Sequence, residues 1–100
     1  MTTIQDLIKF YEGIPEDQRC ESMLRNERGQ CCAIGHLNLR LNGGSDGRDV
    51  RALKCDAAHE LLRNLGIHSM IMIEVNDGEL HIAGTHTARE RVLTFLRGLQ

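Results

Sequence analysis

Cys32 and His36 stand four residues apart, and Cys55 and His59 repeat that spacing. On an α-helix the interval returns to the same face, so two such pairs facing each other would offer two thiolates and two imidazoles, a tetrahedral zinc set. The spacing is looser than the knuckles of established structural zinc sites. A chain of 100 residues with four cysteines and five histidines also yields such pairs by coincidence. Cys55 falls near the edge of the apolar stripe of its helix, and His59 falls almost opposite that stripe, which places it in solvent. No metal and no other cofactor is expected, and Cys32, His36, Cys55 and His59 are the residues on which that expectation is to be checked.

The adjacent pair Cys31-Cys32 opens the apolar run Ala33-Ile34-Gly35-His36-Leu37. A thiolate at a helix start with a histidine nearby has the electrostatics of a nucleophile. The chain shows no carboxylate placed to orient His36, no recognisable oxyanion loop, no Gly-rich phosphate loop and no acid pair at a telling spacing. The pair therefore reads as the opening of a packed helix with inert thiols, and the protein as non-enzymatic. Gly35 inside that helix costs about 1 kcal/mol relative to Ala, which close packing would offset.

The elements that carry these residues follow from periodicity. Thr2 or Thr3 caps a first helix with Gln5 or Asp6 closing a capping box, and Ile4, Leu7, Ile8 and Tyr11 line its buried face. Gly13-Ile14 ends it, the glycine turning left-handed, and Pro15-Glu16-Asp17 suits a short helical turn. Asn26-Glu27-Arg28-Gly29 suits a tight turn between short extended pieces. The cysteine helix then buries Ile34, Leu37 and Leu41 and stops at Asn42-Gly43-Gly44. Ser45 or Asp46 caps a third helix whose stripe runs through Val50, Leu53, Ala57, Ala58, Leu61, Leu62 and Leu65 before Gly66-Ile67 closes it. Thr87 with Glu90 opens a last helix with Val92, Phe95, Leu96 and Leu99 on one face.

Between the third and last helices, Met70-Ile71-Met72-Ile73-Glu74-Val75 runs into Asn76-Asp77-Gly78. Its β-branched content and turn residues slightly favour a hairpin over a short buried helix breaking at Asn76. The expected fold is a mainly α, single compact domain over residues 1–100, of about four amphipathic helices, with the hairpin as an α+β alternative.

The order and spacing of these segments resemble a family of small bacterial and phage proteins to which no activity is assigned. Its pattern is a leading helix, a Cys-Cys-Ala-Leu-Gly-Ala-Leu type helix, a small-residue turn, a third helix, a Trp-Asn-Asp turn and a Thr-capped terminal helix. The matching residues are Cys31-Cys32-Ala33-Ile34-Gly35 with Leu37, Gly43-Gly44, the helix from Val50, Asn76-Asp77, and Thr87 through Leu96. His36 stands where the pattern has Ala, and Val75 where it has Trp. The resemblance implies a compact helical domain and transfers no catalytic residue.

A formal net charge of −2 with interleaved signs argues against generic nucleic-acid binding. Arg51, Lys54, Arg63, Arg89, Arg91 and Arg97 could gather into a basic surface, but Asp56, Glu60 and Glu90 are interspersed, as on a solvated helix face. No apolar run reaches membrane-spanning length, and Met1 through Asp6 lacks a secretory signal. The expected location is the bacterial cytoplasm, or the host cytoplasm if the chain is phage-encoded, with reduced cysteines. The expected role is a small accessory or phage/host-interaction factor that binds another protein, for instance as an inhibitor occupying a partner's site. The alternative is a metal- or ligand-binding domain. Met70, Met72, Asn76 and Asp77 are the candidate interaction residues, and pairing of Met70–Val75 with a second copy would make a homodimer.

Overall fold

The computed structural model describes residues 2–21, 27–41 and 56–100. It comprises α1 (Ile4–Glu12), a 3₁₀ turn (Glu16–Gln18), α2 (Ala33–Leu41), α3 (Asp56–Asn64), α4 (Ser69–Asp77) and α5 (Ala88–Arg97). The domain is mainly α, and among the described residues extended pairing is confined to one bridge between Arg19 and Cys31. The small-residue turn at Asn42–Gly44, the Ser45/Asp46 cap, Val50, Leu53 and Cys55 lie outside the described residues.

Each helix is nine or ten residues long, too short to persist alone in water. Their ends therefore decide much. Thr3 caps α1 through a complete capping box with Asp6, whose carboxyl is held below its ordinary value chiefly by the Thr2 backbone N–H. Thr87 Oγ1 accepts from the Glu90 N–H at 3.1 Å. The Glu90 carboxylate reaches one residue further back, to the His86 N–H.

Gly66, at φ 81°, ends α3 in a Schellman turn. Its N–H donates to the Arg63 carbonyl and that of Ile67 to the Leu62 carbonyl. Ile67 is consequently buried. At the end of α1 the expected left-handed glycine is not found, because Gly13 stays helical at φ −76°. Arg19 serves that end instead. Its guanidinium donates to the Tyr11 carbonyl and, at 3.0 Å, to the Ile14 carbonyl.

The slightly favoured hairpin at 70–82 is corrected: Ser69–Asp77 is helical. Asn-Asp-Gly serves as a helix stop, with Gly78 left-handed at φ 79° and the Glu79 N–H donating to the Glu74 carbonyl at 3.0 Å. Tertiary packing overrides the β-branched preference here, since α4 lies against α2, α3 and α5. It buries Met72, Val75 and Asn76, at helical spacing, completely enough that no strand register would serve.

The core joins Leu7, Ile8 and Tyr11 of α1 to Ile34 and Leu37 of α2, Leu62 of α3, and Val92, Leu93 and Leu96 of α5. Leu41, Ala57 and Leu99, expected to be buried, are exposed. Leu99 sits beyond the last residue of its helix, where the neighbours that would cover it have run out.

Asn76 joins three elements. Its Oδ1 accepts from the Ala33 N–H at the start of α2 at 3.0 Å, and its Nδ2 donates to the Cys20 carbonyl at 3.0 Å and to Asp77 Oδ1 at 2.9 Å. At 1% exposure, water cannot replace these bonds. Asn76→Ala is expected to destabilise the protein by about 2–4 kcal/mol, read as a fall in the urea midpoint. Asn64→Ala, at an exposed position, should change stability by no more than about 0.5 kcal/mol.

Candidate functional site

The cysteine segment is tied down on every side. Cys31 exchanges backbone hydrogen bonds with Gln18 and Cys20 at 3.1 Å, and Tyr11 donates its hydroxyl to the Ala33 carbonyl at 2.7 Å. Burial raises the Tyr11 phenol far above its ordinary value, so it stays a donor. Cys31 and Cys32 are 1% and 5% exposed. Cys32 Sγ accepts from the Gly35 N–H at 3.4 Å, taking the position of a helix cap. Burial pushes the Cys32 thiol up more than the Gly35 and Ile34 N–H groups draw it down. The result is a protonated structural thiol rather than an activated one. None of Cys20, Cys31 and Cys32 is in a disulfide.

Three of the four candidate metal ligands lie among the described residues. His36 Nε2 donates to the Gln18 carbonyl at 2.7 Å. His59, expected in solvent, is half-buried, with Nδ1 hydrogen-bonded to Ser69 Oγ. Cys55 lies outside the described residues. Among the described residues no group of three or more His, Cys, Asp or Glu side chains is placed to hold a metal ion.

The candidate interaction residues also divide. Met72 is fully buried, and Asn76, 1% exposed, is spent on the fold, so neither can meet a partner. The half-buried Asp77 accepts from Asn76. Met70 is 53% exposed and stands on the rim of a groove between α3 and α4.

That groove follows from the connection. The Schellman turn at Gly66 leaves only Ile67 and His68 before α4 begins, so the end of α3 and the start of α4 lie side by side. His68 caps α4, its Nδ1 accepting from the Met70 N–H at 3.1 Å, which leaves the ring proton on Nε2. The groove encloses about 690 Å³. Ile67, Met70 and Ile73 supply its apolar lining, and His59, Glu60, Arg63, His68 and Ser69 its polar lining.

Arg63 and Glu60 were legible in the sequence as parts of a solvated face. His68 and Ser69 were missed, although a polar residue just before an apolar run is the ordinary sign of a helix cap. The basic cluster does not form from the arginines that can be placed. Arg91 donates to the Val75 and Asn76 carbonyls and pairs with Glu21. Arg89 donates to the Glu12 carbonyl, and Arg97 pairs with the Glu12 carboxylate. Arg51 and Lys54 lie outside the described residues.

Comparison with family models, with curated proteins and with solved structures finds no match to the chain.

Burial lowers the proton affinity of His36 below its ordinary value near 6.5, against a smaller opposing effect of the Gln18 carbonyl. The folded chain thus holds His36 neutral where the unfolded chain would protonate it. Stability contributed by the neutral ring is present above that value and lost as pH falls through it. Between about pH 7.5 and pH 5 the urea midpoint is expected to fall further in the unmodified protein than in His36→Gln, whose amide keeps a donor for Gln18 without titrating.

Proposed function

We propose that this chain is a small non-enzymatic protein that acts by binding another protein through the groove between α3 and α4. The observation that carries the reading is the exposure of Met70, at 53%, beside the partly buried Ile73 and within an open groove. A flexible, polarisable thioether held at the surface by a helix whose other face is fully packed is a contact waiting for an apolar counterpart. The polar rim of Glu60, Arg63 and His68 would fix orientation, while Met70, Ile73 and Ile67 would supply the affinity.

The resemblance to small bacterial and phage proteins, together with the lack of an activated nucleophile at Cys32, favours an accessory or host-interaction role over chemistry. A protein of this kind works by occupying a surface of its partner, as an inhibitor does, in the bacterial cytoplasm or, if phage-encoded, in that of the host. Among the described residues no helix is long and apolar enough to cross a membrane.

The test is site-specific photo-crosslinking in host cells, with a photoreactive side chain placed at position 70 and, as control, at the exposed Gln5 of α1. One discrete adduct from position 70, absent from position 5 and lost when Ile73→Asp is added, is expected. Equal adducts from both positions, or none from position 70, would remove the groove as the binding face.

A further inference from the structure

We infer that a second copy of this chain covers the α3–α4 groove in the free protein, forming a two-fold symmetric dimer; the inference rests on that groove being the interaction face. Glu60 and Arg63 are both exposed and lie three residues apart on α3. That spacing suits an intrahelical ion pair, yet neither side chain makes an ion pair or hydrogen bond among the described residues. Both line the groove beside the exposed Met70.

One acid and one base a single turn apart give the groove no net sign to attract an anion, a nucleic acid or a uniformly charged peptide. The complementary surface must carry the same two charges in the opposite order. A copy rotated about an axis perpendicular to α3, passing between residues 60 and 63, presents that order. Glu60 of each chain then faces Arg63 of the other, about 4.5 Å along the helix axis from its own pair at 1.5 Å rise per residue. Met70 and Ile73 of each chain then lie to one side of the axis, against the facing chain, and each contact occurs twice.

Symmetry makes the inference sharply testable with the full-length chain. Sedimentation equilibrium should show a dimer. Glu60→Arg and Arg63→Glu, each doubling a like-charge clash across the axis, should each weaken self-association at least ten-fold while circular dichroism stays that of the unmodified protein. Mixed in equal amounts, the two variants should regain dimers, and native mass spectrometry should find one chain of each kind in them. Met70→Glu should weaken the dimer independently of charge order.

A chain that stays monomeric at several hundred micromolar overturns the inference. So does a dimer indifferent to all three substitutions, or a mixture that fails to recover. A monomer that still gives a specific partner adduct from position 70 would remove the second copy while leaving the binding face in place. A dimer whose only adduct from position 70 is with its own second copy would keep the dimer and remove the separate partner.

Discussion

The amide of Asn76 holds the start of α2 to the end of α4. A helix leaves its first N–H groups without intrahelical partners, and α2 opens with a cysteine whose sulfur is a weak acceptor. Cys32 Sγ receives the Gly35 N–H, and the N–H of Ala33 would be left unmet in a water-free interior. Asn76 meets it, and its other end takes the Cys20 carbonyl just past the bridge to Cys31. A planar amide carries an acceptor and donors on one rigid group. A single buried side chain can therefore serve a helix start on one side and a chain carbonyl on the other. Removing it would leave the buried Ala33 N–H unmet and take a donor from the Cys20 carbonyl at the same time.

The same economy governs the helix C-termini, where guanidinium groups do what glycine does elsewhere. Arg19 reaches the Tyr11 carbonyl of α1 and the Ile14 carbonyl just past it, its Cζ 5.8 Å from the centre of the Tyr11 ring, and Arg91 reaches the Val75 and Asn76 carbonyls of α4. Each places a cation where the helix dipole is negative and adds donors to carbonyls at or just past the helix end. Burial lowers the Arg19 pKa, so the charge is costly there, and the nearby Glu16 offsets part of that cost. Arg97 with Glu12 is a different case, since both side chains are about half exposed. Pairs of that kind contribute about 0–1 kcal/mol. The buried arginines, not the surface ion pair, connect the charged residues to the fold.

Features whose partners lie within one turn were legible in the sequence: the Thr3–Asp6 box, the Thr87 cap and the Gly66-Ile67 reversal all read correctly. The mainly α class and the apolar faces around Leu7, Leu37, Leu62 and Leu96 follow from the same local periodicity. Asn76 looked like a turn residue because its partners lie 43 and 56 residues away, beyond any local pattern. α4 looked like a hairpin for a related reason: isoleucine and valine report a preference that three neighbouring helices outweigh. Gly13 stays helical, and Arg19, six residues on and outside any local pattern, donates to the Tyr11 and Ile14 carbonyls around it. Of the groove residues, the sequence offered Met70 as an interaction candidate, Glu60 and Arg63 as a solvated face and His59 as a metal candidate. It did not join them, nor single out His68 and Ser69, because only the tight passage between α3 and α4 brings them together.

These bonds divide α4 lengthwise. Met72, Val75 and Asn76 lie on the face that holds α2, α5 and the Cys20 strand together, and they leave that face no freedom to recognise anything. Met70 and Ile73 lie on the face toward α3, where a change of side chain disturbs no buried polar group. A helix of nine residues can carry both tasks because 3.6 residues per turn separates them by angle rather than by length. The cysteine segment shows the converse. Its residues look reactive in sequence, but the thiol of Cys32, the ring of His36 and the backbone of Ala33 are all committed to holding α2 in place. Around the groove, the exposed side chains of Met70, Glu60 and Arg63 hold no other described element in place, so they can change there with little cost to the fold.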